Sequence, residues 1–198
     1  MNSRRKFIGK IAGASALLSS TTSVKASVDL LTQPVLPSLE GRKILFTYGG
    51  WDGHEPKKFR EYLTPWLKEE GAEVLLFDNL DCYTDESLMK EIDLVIQIFT
   101  MSEITREQEK GLLTAVKENG TGMAGWHGGM GDAFRVNTEY QYMVGGQWVA
   151  HPGGNIDYKV SISSNDDPIT RGLSDFEMTS EQYYMHIDPN CNVLATTR

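Results

Sequence analysis

Residues 42–50 read Arg42-Lys43-Ile44-Leu45-Phe46-Thr47-Tyr48-Gly49-Gly50. An apolar run of this length, closed by paired glycines, is a buried strand entering a turn. Its apolar residues are continuous rather than alternating, as expected of a strand in a sheet covered on both faces. The pattern then repeats. Pro56 stands where a helix can start, Phe59, Leu63, Trp66 and Leu67 recur at helical spacing, and Gly71 stops them. Residues 74–77 form a second apolar run, and residues 84–91 predict a short helix with Thr84 as N-cap and Glu86 in its first turn. Residues 94–99 are the third strand. Thr105 caps a helix carrying Leu112, Leu113 and Val116, which Asn119 and Gly120 close, and residues 122–126 are the fourth strand. Strands alternating with helices predict an α/β fold with a doubly wound, mostly parallel sheet. Beyond residue 145 the pattern changes. Residues 157–162 alternate like a half-exposed strand, and residues 181–186 and 192–196 read as further strands.

The ends of the chain are of a different kind. Ser3-Arg4-Arg5-Lys6-Phe7-Ile8 resembles the twin-arginine export motif, a weakly apolar stretch runs from Ile11 to Ser20, and Val24-Lys25-Ala26 offers a cleavage point before Ser27. This predicts a signal peptide over residues 1–26, export by the twin-arginine machinery and a periplasmic or otherwise exported protein. Residues 27–40, with Pro34 and Pro37, read as a linker, and residues 41–198 as one domain. No apolar run reaches the length of about 18 residues that a membrane span needs, so no membrane anchor is expected in the mature form. The formal net charge of −8 becomes −13 without residues 1–26, which hold five basic residues and no acid. So acidic a body would repel phosphate backbones and anionic lipid, which argues against nucleic-acid binding. Cys82 and Cys191 are the only cysteines. An oxidising compartment permits their pairing, and two unpaired thiols are the favoured reading.

Ligands of doubly wound sheets sit outside the carboxyl ends of the strands. The loop after the first strand runs from Gly49 to Pro56 and contains His54. The loop after the fourth runs from Trp126 to Phe134 and contains His127. Parallel strands place both loops on one edge of the sheet, where the two histidines can converge. Glycines around each let the backbone turn sharply and approach a ligand.

Three segments then carry a resemblance: GWHGGMGDAF at residues 125–134, YQYMVGGQWVAHPGG at 140–154 and SEQYYMHIDPN at 180–190. In content and order they are similar to the ThuA-like (trehalose-utilization) family, and the resemblance spans residues 42–198. It implies a flavodoxin-like fold of the class I glutamine amidotransferase type. In that superfamily the turn after the fourth strand is a nucleophile elbow, G-x-C-x-G. Here it reads Gly125-Trp126-His127-Gly128-Gly129, with histidine in the place of the cysteine. Thiolate attack on a glutamine amide needs the sulfur, so glutaminase activity is not expected. A histidine there supplies a proton carrier, a hydrogen-bond donor or a metal ligand. Family members continue with a P-V-x-W segment and a G-R-V-F-Y strand ending in Leu-Gly-His. The resemblance therefore implies either that the sequence, ending at Arg198, is a fragment or that the protein lacks the closing strands and one family histidine.

The leading functional reading is an enzyme acting on a small carbohydrate by histidine/carboxylate acid-base chemistry. His127 is its central acid/base, and His54 and Glu181 assist. Trp51, Trp126, Asp132, Arg135, His151, Tyr184 and His186 are the candidates for substrate binding. The tryptophans, Trp148 included, are placed either to stack on a sugar ring or to pack in the core. Asp132 and Arg135 either hold substrate hydroxyls or face solvent. Histidine and carboxylate on separate loops suit a divalent transition metal, with His54, His127, His151 and His186 as candidate ligands, although no H-E-x-x-H or H-x-H spacing is present. The cofactor is left open on the sequence. A sugar-binding protein without turnover, or an interaction module with packing histidines, are the other readings that the residues admit.

Overall fold

The computed structural model describes residues 37–197. The signal peptide assigned to residues 1–26 and most of the linker lie outside the described residues. Four strands, β1 (Lys43–Gly50), β2 (Glu73–Phe77), β3 (Leu94–Thr100) and β4 (Gly122–Gly125), form a parallel sheet in the order β2-β1-β3-β4. Helices α1 (Pro56–Glu69), α2 (Glu86–Glu91) and α3 (Arg106–Lys117) supply the crossovers. The architecture is flavodoxin-like.

The unbroken apolar runs are explained by two cores. Alternate residues point to opposite faces of a strand. Leu45, Val95 and Phe99 therefore pack on one side with Leu112 and Ala115 of α3. Ile44, Phe46, Ile96 and Ile98 pack on the other with Leu67, which α1 contributes. Helix ends follow the sequence at most positions. Pro56 opens α1, and Gly71, at φ 91°, turns the chain out of it. The second helix starts one residue later than expected, because its cap is Asp85 rather than Thr84. The Asp85 carboxylate accepts from the backbone N–H groups of Ser87 and Leu88, whereas the Thr84 hydroxyl donates back to the carbonyl of Asp81. A carboxylate at a helix start gains from the helix dipole as well as from the hydrogen bonds.

Thr105 and Gln108 form a reciprocal capping box at the start of α3. Thr105→Ala removes the acceptor for the Gln108 N–H, and the expected cost is about 1 kcal/mol in urea unfolding, with no change in the site.

After β4 come the single turn α4 (Gly128–Gly131), helix α5 (Thr138–Val144) and strand β5 (Gly146–Ala150). The rest of the described chain is antiparallel. Strand β6 (Asn155–Ile162) alternates in exposure as its sequence predicts, and lies between β7 (Phe176–Glu181) and β9 (Ala195–Thr197). Strand β8 (Tyr184–Ile187) pairs instead with β5. The run at residues 181–186 is thus not one strand. It breaks at Gln182 and Tyr183, where the chain leaves one small sheet for another. Cys82 and Cys191 are both free thiols. Burial pushes the Cys82 thiol up to about 12, which leaves it inert at neutral pH.

Candidate functional site

The strand order places the chain's reversal between β1 and β3, since β2 lies to one side of β1 and β3 to the other. A crevice opens at the carboxyl ends of strands at such a switch point. His54 enters it from a short 3-10 turn after β1 (Asp52–His54), and Thr100 from the last position of β3. His127 enters from the residue that follows β4 and precedes α4. The segments after β3 and β4 are tied together: the backbone N–H groups of Met101 and Ser102 donate to the carbonyls of Asp132 and Ala133, both at 2.8 Å.

His127 sits at φ 52° and ψ −145°, a conformation that glycine tolerates and other residues adopt only under strain. The strain aims the imidazole out of the tight turn toward the crevice. Gly128 beside it has no room for a side chain. A Cβ there would lie 2.6 Å from the His54 ring and 2.9 Å from the Thr100 methyl. The close packing of the two histidine loops therefore depends on Gly128.

Glu181 ends β7 and Tyr183 lies in the break before β8. His151 follows β5. Three imidazoles converge on this one carboxylate. Nε2 of His54 is 3.8 Å from Glu181 Oε2, Nε2 of His127 is 3.4 Å from the same oxygen, and Nε2 of His151 is 3.7 Å from Oε1. The other ring nitrogens of the first two are held by hydroxyls: Nδ1 of His54 by Thr100 Oγ1 and Nδ1 of His127 by the Tyr183 hydroxyl, each at 2.9 Å. The His54 and His127 rings meet edge to face with centroids 4.7 Å apart.

Burial, and secondarily the neighbouring His54, holds the His127 imidazole below its usual range, against the opposing pull of Glu181. It is therefore neutral at neutral pH and available as a proton acceptor or a ligand. A histidine depressed in the folded state binds fewer protons there than when unfolded. Its contribution to stability is complete above the ordinary value of 6.5 and is lost as pH falls through the depressed one. The urea midpoint should accordingly drop between pH 7 and pH 5, and His127→Gln should make that drop shallower. An unchanged slope in the variant would remove His127 as the titrating group. Burial also raises the Tyr183 phenol, with Glu181 and Asp132 adding to the shift, so its hydroxyl stays protonated.

Two cavities share His54. One, of about 330 Å³, is lined by His54, Phe59, Trp126 and His127. A smaller one, of about 100 Å³, is walled by Trp51, Arg135, Trp148, His151, Glu181 and Tyr183. The structure thus brings His54, His127, His151 and Glu181 together, with Trp51 against His54 at 4.8 Å. Trp126 forms the wall of the larger cavity, packed on Phe59 at 5.1 Å. Asp132 is buried and gives both oxygens to Arg135, at 2.5 and 2.8 Å. It thereby pins the guanidinium 4.6 Å above the Trp148 ring. Tyr184 and His186 are not brought to the centre. Tyr184 is exposed, and His186 lines a separate groove with Tyr142 and Asp188. The sequence reading passed over Thr100 and Tyr183. No local period marks the second, because the chain passes from one small sheet to another at Gln182 and Tyr183.

This is a flavodoxin-like α/β protein whose elbow carries a histidine over a histidine-and-glutamate cluster. A profile of the ThuA family, described as trehalose utilisation, matches residues 43–198, and the chain belongs to that family. The fold is also that of a ThuA-like protein from Bacteroides uniformis ATCC 8492. The two superpose with a TM-score of 0.64 over 82% of this chain and 70% of the other, at 16% sequence identity. No curated protein matches the sequence.

Proposed function

We propose that the protein is an enzyme of disaccharide utilisation that acts on a sugar by proton transfer at the centre formed by His54, His127, His151 and Glu181. The observation that carries this reading is the convergence of three Nε2 atoms on one carboxylate within 3.4–3.8 Å. Imidazoles and a carboxylate set side by side in a crevice are the donors and acceptors that acid-base catalysis at a hydroxyl or carbonyl uses. His127 is the proton acceptor, Glu181 orients it and shares the proton, and His54 and His151 complete the polar wall. Trp51 and Trp148 wall the small cavity beside His54, His151 and Glu181, and Trp126 walls the larger one that His127 lines, where aromatic faces suit the apolar faces of a sugar ring. His127 at the elbow directs the site away from thiolate chemistry.

The test is incubation of the purified chain with trehalose, followed by chromatography of the sugar. Consumption that disappears in His127→Ala supports the reading. Binding of trehalose in calorimetry with no consumption would replace it with a sugar-binding protein. Export belongs to the same proposal, on the strength of the Ser3–Ile8 motif and the apolar stretch behind it. Exchanging Arg4 and Arg5 together for lysine is expected to leave the precursor in the cytoplasm, and normal export would remove this part.

A further inference from the structure

The distances at the centre are too long for the hydrogen bonds that the groups present would otherwise make. An N–H···O bond spans about 2.7–3.2 Å, yet the three Nε2 atoms stand 3.4, 3.7 and 3.8 Å from the Glu181 oxygens. The proton positions sharpen the point. Thr100 Oγ1 and the Tyr183 hydroxyl lie 2.9 Å from Nδ1 of His54 and of His127. When each Nδ1–H donates to its hydroxyl oxygen, the two Nε2 atoms are left with bare lone pairs. Two such lone pairs then face an acceptor-only carboxylate, which is unfavourable unless something positive lies between them.

We propose that the Nε2 atoms of His54 and His127 and the Oε2 atom of Glu181 hold a divalent transition-metal cation, with His151 beside Oε1 as the adjoining group. Three observations agree. The ligand atoms of His54, His127 and Glu181 all lie within 4.8 Å of one another. A tetrahedral ion with bonds of about 2.0–2.1 Å sets its ligand atoms about 3.3–3.4 Å apart, close to the 3.4 Å between His127 and Oε2, with His54 at 3.8 Å. The hydroxyls on the two Nδ1 atoms are the outer partners that fix the ring orientation and tautomer of metal-binding histidines. Two imidazoles and one carboxylate select a transition ion such as Zn²⁺ over Mg²⁺ or Ca²⁺, which prefer oxygen ligands throughout.

The inference rests on the same centre as the proposed carbohydrate chemistry and deepens it. A bound cation would polarise a sugar oxygen, His127 would act as its ligand, and the proton that His127 accepts in the metal-free reading would pass to His151, which stays outside the ligand set. The residues on which turnover depends stay the same.

The experiment is titration of the chelator-stripped full chain with Co²⁺, read as visible absorption, and with Zn²⁺, read as bound metal per chain after gel filtration. One equivalent of Zn²⁺ is expected, with the intense visible bands of low-coordinate Co²⁺. His54→Ala and Glu181→Gln should each weaken Co²⁺ binding roughly 100-fold or more, and Thr100→Val about 10-fold through the ring it orients. His186→Ala, away from the centre, should bind as the parent does. Far-UV circular dichroism of each variant separates lost ligation from lost folding, and Thr100→Val leaves every ligand in place. Substoichiometric uptake by the parent, or equal affinity in parent, His54→Ala and Glu181→Gln, overturns the metal centre. The trehalose assay keeps the two claims apart. Metal bound without trehalose consumption leaves the site standing and removes the carbohydrate reading. Consumption by the stripped, metal-free chain leaves the carbohydrate reading standing and takes the cation out of its chemistry, while the titration alone decides the site.

Discussion

The His127→Ala variant is expected to keep its fold and to lose sugar turnover by about 10³-fold, the loss that removal of a positioned acid-base group, or of a cation ligand at the same place, would leave. The size of the effect follows from the geometry. His127 is the imidazole nearest Glu181, at 3.4 Å, and it links that carboxylate to the Tyr183 hydroxyl. The neighbouring histidines approach from other segments, and Nδ1 of His54 is held by Thr100 rather than Tyr183. A companion variant separates chemistry from strain. At φ 52° and ψ −145° a glycine is relaxed where alanine is not, so His127→Gly should be as inactive as His127→Ala yet more stable by about 1 kcal/mol. Activity in both variants near that of the parent would take His127 out of the mechanism. Equal stability of the two would remove the argument from strain.

Gln97→Leu is expected to have the largest effect on stability, about 3 kcal/mol, although the side chain never touches the crevice. Gln97 lies fully buried on the α3 side of the sheet. Its carbonyl accepts from the Tyr83 hydroxyl at 2.9 Å, and its amide donates to the Tyr140 hydroxyl at 2.7 Å. The network extends outward: Tyr83 meets Thr47 at 2.9 Å, and Tyr140 donates to the carbonyl of Met130 at 3.0 Å. Leucine fills nearly the same volume but removes the hydrogen bonds that join both buried phenols to Gln97 and leaves them Thr47 and the Met130 carbonyl alone, at about 1–1.5 kcal/mol for each bond lost. For a domain of this size the melting temperature should fall by roughly 6–12 °C. Met130 belongs to the single helical turn behind His127, so turnover should fall too, while Tyr83→Phe, which leaves Gln97 and Tyr140 joined, should cost about half as much. A Gln97→Leu protein as stable as the parent would show that the network contributes nothing net.

Much of the scaffold was readable because its signals are local. Continuous apolar runs, Pro56 at a helix start, Gly71 and Gly120 beyond helix ends and the Thr105–Gln108 box each act within a few residues. The departures have local causes as well. Asp85 displaces Thr84 as a cap because a carboxylate satisfies two backbone N–H groups at once. The break at Gln182 and Tyr183 was hidden because each half of that run, taken alone, has the pattern of a strand.

The sequence by itself determined the parallel α/β sheet, the edge of that sheet on which ligands sit, and the histidine that stands at the elbow. Those follow from hydrophobic period and from the handedness of strand crossovers, which the chain carries in every segment. Only the tertiary structure decided that His151 and Glu181 join His54 and His127, that Tyr183 rather than Tyr184 faces them, and that Asp132 is spent on Arg135. Residues 54, 127, 151 and 181 come from four separate segments of the chain. Their meeting depends on where a strand leaves one sheet for another, and on a glycine too small to keep two loops apart. Neither is written in any local period.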